Sequence, residues 1–310
     1  GNMWKYILKR IVAMIPVLIG VTLIVYFILS LAPGDPVRAM LGEQSTPEAY
    51  EEMRETLGLN DPVIVQWGRY ILKLFRGDFG ISYKTKTNVA IELAARIPST
   101  FTLSFFATTM AVIFALPLGI IAAVKQNTWI DGISMFISLL GVSIPIFWFG
   151  LLLLQLFCLR LGWFPASGAD TWMHYVMPGM ALGFHCMASI ARITRSSMLE
   201  VIRQDYIRTA RSKGLSYNKV IRKHALKNAL IPTITVTGLQ IGGLLAGSVL
   251  TETVFGIPGI GRLMIQSIQG LDYPMVLGCI LVFTLMFSIV NLIVDLLYAF
   301  VDPRIKAQYS

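Results

Sequence analysis

Asp205–Ser216 reads DYIRTARSKGLS and lies between two long apolar runs, so a short ordered polar segment is held at a membrane surface. Asp205 is placed to cap a helix, accepting from the first free backbone N–H groups. Gly214 stands where a left-handed C-terminal cap falls, with Arg211 and Lys213 in the last turn against the negative end of the helix dipole. Leu199, Ile202, Tyr206 and Ala210 are spaced 3, 4 and 4 residues apart and read as one helical stripe, with Arg203, Arg208 and Arg211 pointing elsewhere. Ser216 caps a second helix that is basic through Lys219, Arg222, Lys223 and Lys227, and that feeds the next apolar run with Pro232 in its first turn. The tendency of cytoplasmic loops to be basic explains the charge of the stretch 199–228. It does not explain the order cap, helix, glycine, cap, helix, which is that of a docking element.

The 310 residues are 55% hydrophobic and 14% charged, with mean hydropathy +0.68. A soluble domain of this size has no use for so much apolar surface, and the expected class is an all-α polytopic membrane protein. The net charge of +9 would suit a nucleic-acid partner if it were spread over one surface, but it is sorted by position along the chain. Cys158, Cys186 and Cys279 all lie in apolar runs and imply no disulfide framework. Gly1 and Asn2, ahead of Met3, read as a cloning remnant.

Working outward, six apolar segments emerge: Ile11–Ala32, Ile97–Val124, Gly132–Leu159 with Pro145 inside it, Tyr175–Ala191, Ala229–Thr251 and Met275–Val301. Six spans put both termini on one side of the membrane. Sixteen basic and four acidic residues fall on that side, against ten basic and twelve acidic on the other, so the termini and the 199–228 loop are expected to be cytoplasmic. Residues 33–98 then form an extracytoplasmic insertion. Within it, Ser45 with Glu48 begins an acidic helix ending near Gly58. A second helix follows Asp61-Pro62, with Ile64, Trp67, Ile71 and Leu74 as its apolar face and Gly77 as its stop.

Chemistry-bearing constellations are few. There is no Gly-Lys dipeptide and hence no Walker A phosphate cradle; nor is there a nucleophile–base pair or a set with metal-ligand spacing. Any energy for transport must come from another polypeptide or an ion gradient. Met177, Met180 and Met187 near His185 and Cys186 read as helix packing around a hydrogen-bonded interior histidine rather than a metal path. Asp295 lies near one membrane edge and reads as structural. Gly238-xxx-Gly242 and Gly243-xxx-Gly247 read as close helix packing, within the chain or against a partner. SIPIFWFG, Ser143–Gly150, sets Pro145 beside Phe147 and Trp148, compatible with a kinked wall of a translocation path or with an ordinary packing kink.

DYIRTARSKGL followed by HALKNALIP (His224–Pro232) resembles the cytoplasmic EAA-type loop of ABC importer permeases. APGDP after the first span, LGLNDP (Leu57–Pro62), GDFGIS (Gly77–Ser82), ARITRSSMLEVI (Ala191–Ile202), ETVFGIPGIGRL (Glu252–Leu263), LDYP (Leu271–Pro274) and DLLYAFVDPRI (Asp295–Ile305) extend the likeness over essentially the whole chain. Together they are similar to the dipeptide/oligopeptide/nickel permease family, first of its two permease subunits. Ser212 and Asn88 replace a frequent alanine and proline of that family, and the loop 160–174 is short for some dipeptide permeases.

The resemblance implies a single type I importer permease domain over 1–310 in a prokaryotic plasma membrane. It implies a second permease, two cytoplasmic ATPases carrying ATP and magnesium, and an extracytoplasmic binding protein as partners. It implies no catalysis and no cofactor on this chain, and no nucleic acid. Coupling to an ATPase would fall to Asp205, Tyr206, Arg208, Thr209, Ala210, Lys213 and Gly214. The cargo implied is a short peptide, with nickel, glutathione or another small solute as the alternative. A self-contained secondary transporter would call for inverted repeats and midplane charges that the sequence does not display.

Overall fold

The computed structural model describes residues 2–301, so the terminal basic pair Arg304 and Lys306 lies outside the described residues. The helices are α1 (Asn2–Leu31), α2 (Pro36–Leu41), α3 (Pro47–Leu57), α4 (Val63–Phe75), α5 (Val89–Val124), α6 (Trp129–Ser143), α7 (Ile146–Leu153) and α8 (Val176–Ile202). They continue with α9 (Asp205–Ser212), α10 (Tyr217–Val220), α11 (Leu226–Val254), α12 (Ile260–Gln269) and α13 (Tyr273–Val301). Wider π-turns extend α7 over Leu154–Arg160 and join α10 to α11 over Ile221–Ala225. The chain divides into two compact units, one built on Phe101–Ile257 with the last helix from Ile289, the other on Met3–Thr100 with Pro258–Ser288.

In the first unit α8 is the central helix. It is the least apolar of the long helices and the most enclosed, because glycines and alanines let its neighbours approach to backbone distance. A Cβ at Gly183 would stand 2.6 Å from the Ala107 carbonyl of α5, and one at Gly119 of α5 would stand 2.7 Å from the Ala191 carbonyl. On α6, a Cβ at Gly141 would overlap the Phe184 carbonyl. The closest approaches to a neighbouring backbone therefore run through α8 and its own Gly179-xxx-Gly183, a pair that the glycine spacing on α11 does not reveal. Thr194 and Thr233 join α8 to α11 through their hydroxyls, 3.1 Å apart. The His185 Nδ1 atom is buried without a hydrogen-bond partner among the described residues, contrary to the hydrogen-bonded histidine expected there.

The segment expected as one kinked span over Gly132–Leu159 is instead two helical pieces meeting at 103°. Ile144 is the last residue bonded to α6, its N–H donating to Leu140 at 3.0 Å, and it is extended at φ −84 and ψ 126. A residue before proline is pushed out of the helical region, and Pro145, with no N–H, then starts α7. Proline thus ends one helix and begins another. Among the described residues five helices are long and apolar enough to cross a membrane, six when the bent pair counts as one span.

In the second unit α4 packs on its neighbours, with Tyr70 and Leu74 among Leu18, Val25, Leu277 and Leu281. The Trp67 indole N–H donates at 3.0 Å to Thr22 Oγ1, whose own hydrogen goes to the Ile19 carbonyl of α1. Ile64 is exposed and Tyr70 takes its place on the buried face. Helix α3 is capped by Thr46, whose hydroxyl accepts from the Ala49 N–H at 3.2 Å, rather than by Ser45. Asp272, ahead of α13 and almost fully buried, accepts from the Ser82 hydroxyl and from the Tyr83 N–H at 2.9 Å. GDFGIS and LDYP, 190 residues apart, are thereby tied together.

Candidate functional site

The loop between α8 and α11 is built as a small folded element on the first unit. Helix α8 ends at Ile202, and Gln204 is extended at φ −72 and ψ 152, with no side chain capping α9. Asp205 is the first helical residue and not the cap expected of it, although its carboxylate still sits at the positive end of the helix dipole. Because the chain breaks at Arg203 and Gln204, helical phase is not carried from Leu199 to Ala210. The buried pair on α9 is Ile207 and Ala210, which seat in the chain's own core with Met198, Val220 and Ile221. Ala210, at 7% exposure, is therefore part of the loop's foundation.

What α9 leaves in solvent is Asp205, Tyr206, Arg208, Thr209, Arg211 and Ser212, with Lys213 just after it. The Thr209 hydroxyl donates to the Asp205 carbonyl at 3.0 Å and the Ser212 hydroxyl to the Thr209 carbonyl at 2.8 Å, so both are held on their own helix. Tyr206 is half exposed, yet desolvation holds its phenol above the ordinary value of 10, opposed by a hydrogen bond with Asn228. Lys213 closes the helix and Gly214 turns the chain at φ 82, a geometry in which a β-carbon is strained. Ser216 caps the next helix as expected, accepting from the Lys219 N–H at 3.4 Å. That helix is not separate: α10, the π-turn and α11 run on continuously from Tyr217 to Val254, so Pro232 lies well inside a helix rather than in a first turn.

Beneath the loop, Arg195 on α8 holds Asp131 at the start of α6. Its Nε and terminal nitrogen donate to the two carboxylate oxygens at 2.9 and 2.8 Å. Asp131 also accepts from the Asn127 N–H at 3.1 Å, Asn127 itself turning at φ 61. The fork-to-fork geometry fixes α8, from which α9 hangs, to the turn between α5 and α6. Sequence reading missed this pair because its members are 64 residues apart. The only local signal was a lone acid in a tight turn and an arginine inside an apolar helix.

The remaining candidates separate. Phe147 and Trp148 are each 48% exposed on this chain, open to a path or to a partner, while Phe149 beside them packs against the Phe184 ring, centroids 4.8 Å apart and planes tilted by 39°. Pro145 makes the bend that presents them. On α11, Gly238 and Gly242 are buried, and a Cβ at Gly238 would overlap the Val294 side chain. A Cβ at Gly247 would stand 3.1 Å from the Leu182 side chain, whereas one at Gly243 would meet nothing within 4 Å. The four glycines do not share one face.

Comparisons with known proteins agree with this architecture. Residues 115–307 match the family described as binding-protein-dependent transport system inner membrane component, and residues 3–104 match the N-terminal region of such membrane components. The chain is 46% identical over 98% of its length, and all of the relative's, to the dipeptide transport system permease protein DppB of Alkalihalophilus pseudofirmus. It is 44% identical to the glutathione transport system permease protein GsiC of Escherichia coli K12, covering 98% of this chain and 99% of that one. Among solved structures, the inward-facing MetNI methionine ABC transporter superposes with a TM-score of 0.59 at 18% identity, covering 68% of this chain and 96% of that one. The family of all-helical, multi-pass inner-membrane components of binding-protein-dependent transport systems is the one to which this chain belongs.

Proposed function

We propose that this chain is one of two permease subunits of an ATP-driven importer, and that it forms half of the path for short peptides handed over by an extracytoplasmic binding protein. In this reading the termini and the 199–228 loop are cytoplasmic, residues 33–98 face outward, and ATP and magnesium are held by two partner ATPases, with no cofactor on this chain. The observation that carries it is the loop: α9 seats Ile207 and Ala210 in the chain's core and leaves Tyr206, Arg208, Thr209, Arg211 and Lys213 outside, on a helix clamped through α8. A surface kept basic only for topology would need no such foundation.

The cargo follows from the relatives, which are named for a dipeptide and for glutathione, itself a tripeptide. Glutathione or another small solute is the second reading of the same machinery. The test is uptake of labelled dipeptide and glutathione into vesicles containing the reconstituted complex, with ATP inside and binding protein outside. Uptake that needs both ATP and binding protein supports the proposal; uptake driven by an ion gradient alone contradicts it.

A further inference from the structure

Helix α8, the most enclosed of the long helices, still has one open face. Its exposed residues are Arg192, Ser196 and Glu200, and the half-buried His185 and Ser189 carry the same line back into the span. The five are spaced 4, 3, 4 and 4 apart and form one helical stripe, every member of which is polar. Seven residues before His185 and Ser189, on the same face, Pro178 and Leu182 are buried. There α7 and α11 close over the helix: a Cβ at Gly150 would stand 3.7 Å from the Ala181 Cβ, and one at Gly247 3.1 Å from Leu182. The stripe therefore opens only beyond Phe184.

Neighbouring helices of the same unit expose the opposite chemistry. Helix α6 exposes Ile133, Phe136, Ile137, Leu139 and Val142, and α5 exposes Phe105, Ile113 and Phe114. Those faces suit lipid. The stripe does not, although His185, Ser189 and Arg192 stand only about 14, 20 and 24 Å along α8 from Val176, within the ~30 Å thickness of a hydrocarbon core. Arg192 makes no ion pair or hydrogen bond among the described residues, whereas Arg195, one turn on, is held by Asp131. Polar side chains at membrane depth are stable where water or a polar partner meets them.

We propose that this stripe is the water-lined wall of the import path on this chain, along which a peptide passes with its free carboxylate against Arg192. Ser189 and Ser196 flank that cation one turn to either side and offer donors and acceptors to a peptide backbone without enclosing it. A lipid chain would leave the stripe desolvated and unpaired, and a packed partner helix would have to bring an acid to Arg192. The proposal rests on the importer reading and names the face of this chain that the cargo meets.

The test introduces Ser189→Cys and Ser196→Cys singly into the assembled importer in lipid nanodiscs, where both membrane faces meet solvent. The native Cys158, Cys186 and Cys279 are buried, so their background is low. Both new thiols are expected to react with two membrane-impermeant reagents, anionic sulfonatoethyl and cationic trimethylammonioethyl methanethiosulfonate. Phe136→Cys, on the apolar face of α6, is expected to react with neither. Adding Arg192→Gln should lower the ratio of anionic to cationic labelling at least about threefold, since the lost charge is one turn from each thiol. Trialanine should slow labelling of Ser196→Cys, and trialanine amide, which lacks the carboxylate, should slow it less. An unreactive Ser189→Cys, or a Phe136→Cys that reacts as fast, would overturn the wall. An unchanged ratio in Arg192→Gln, or protection that is absent or equal for the amide, would overturn the carboxylate contact. ATP-dependent uptake by the parent complex, measured alongside, tests the importer reading by itself: intact uptake with unreactive thiols removes the stripe and leaves the importer.

Discussion

Arg195 and Asp131 face each other in a two-bond fork, nitrogens to oxygens at 2.9 and 2.8 Å, with the aspartate almost buried and the arginine about one-quarter exposed. The pair joins the helix that leads into the loop to the turn before α6. Removing one member leaves the other without its partner in a partly desolvated place. Arg195→Ala or Asp131→Asn should each cost about 1–3 kcal/mol, while the double variant should cost less than their sum. Thermal unfolding of the four proteins in detergent measures this, and strict additivity would remove the clamp.

The glycines make opposite predictions by position. Gly183→Val places a side chain on the Ala107 carbonyl of α5 and should prevent accumulation of monodisperse protein. A Cβ at Gly243 meets nothing within 4 Å on this chain, so Gly243→Leu should accumulate normally. Size-exclusion profiles of membrane extracts separate the two. Any defect in Gly243→Leu should appear only on pairing with the second permease proposed above.

Helix α9 has a similar division. Ala210→Glu buries a carboxylate among Met198, Val220 and Ile221 and should loosen the loop itself, increasing proteolysis between Arg203 and Lys213. Arg208→Glu and Tyr206→Ala, on the exposed side, should leave the proteolysis pattern unchanged.

These contrasts show what was legible in the sequence. Apolar length alone marked the membrane helices, since lipid demands it whatever the tertiary contacts. Gly214 and Ser216 were legible because positive φ and side-chain capping are local chemistry. The phase of α9 was not: one stripe was drawn through Leu199, Ile202, Tyr206 and Ala210, and a two-residue break reset the helix so that Ile207 faces inward. Thr46 displaced Ser45 as a cap because adjacent residues offer the same hydroxyl and only the start of the helix decides between them. The 103° bend was underestimated because proline inside a membrane helix can kink it or end it, and the outcome depends on whether Ile144 stays helical. Arg195 with Asp131, and Asp272 with Ser82, depend on contacts that no local pattern records.

Asp35 gives a pH-dependent signature in the second unit. Burial raises its pKa, but the Tyr50 hydroxyl, the Val37 and Arg38 N–H groups and Arg54 more than offset this and hold it below its ordinary value of 3.8. A depressed folded pKa means stability that is fully present above the unfolded value and is lost as pH falls through the folded one. Asp35 also caps α2, so Asp35→Ala should cost about 1 kcal/mol at neutral pH. The difference in melting temperature from wild type should hold from pH 7 to about 5 and shrink below about 4. A difference that grows on acidification would contradict the assignment.

Gly214→Val isolates the turn. At φ 82 a β-branched residue is opposed by about 1–2 kcal/mol, and no neighbour within 4 Å adds a clash. The membrane helices should form and the chain should pair with the proposed partner permease, while the angle between α9 and α10 is lost. Uptake should fall, and Gly214→Asn, which tolerates the left-handed region, should restore much of it.

ATP hydrolysis by the reconstituted complex, with and without liganded binding protein, tests directly whether the exposed side of α9 transmits between this chain and an ATPase. Arg208→Glu together with Tyr206→Ala should leave assembly and basal hydrolysis intact and abolish stimulation by the binding protein. Stimulation at the wild-type level in that double variant would contradict the coupling role of the loop.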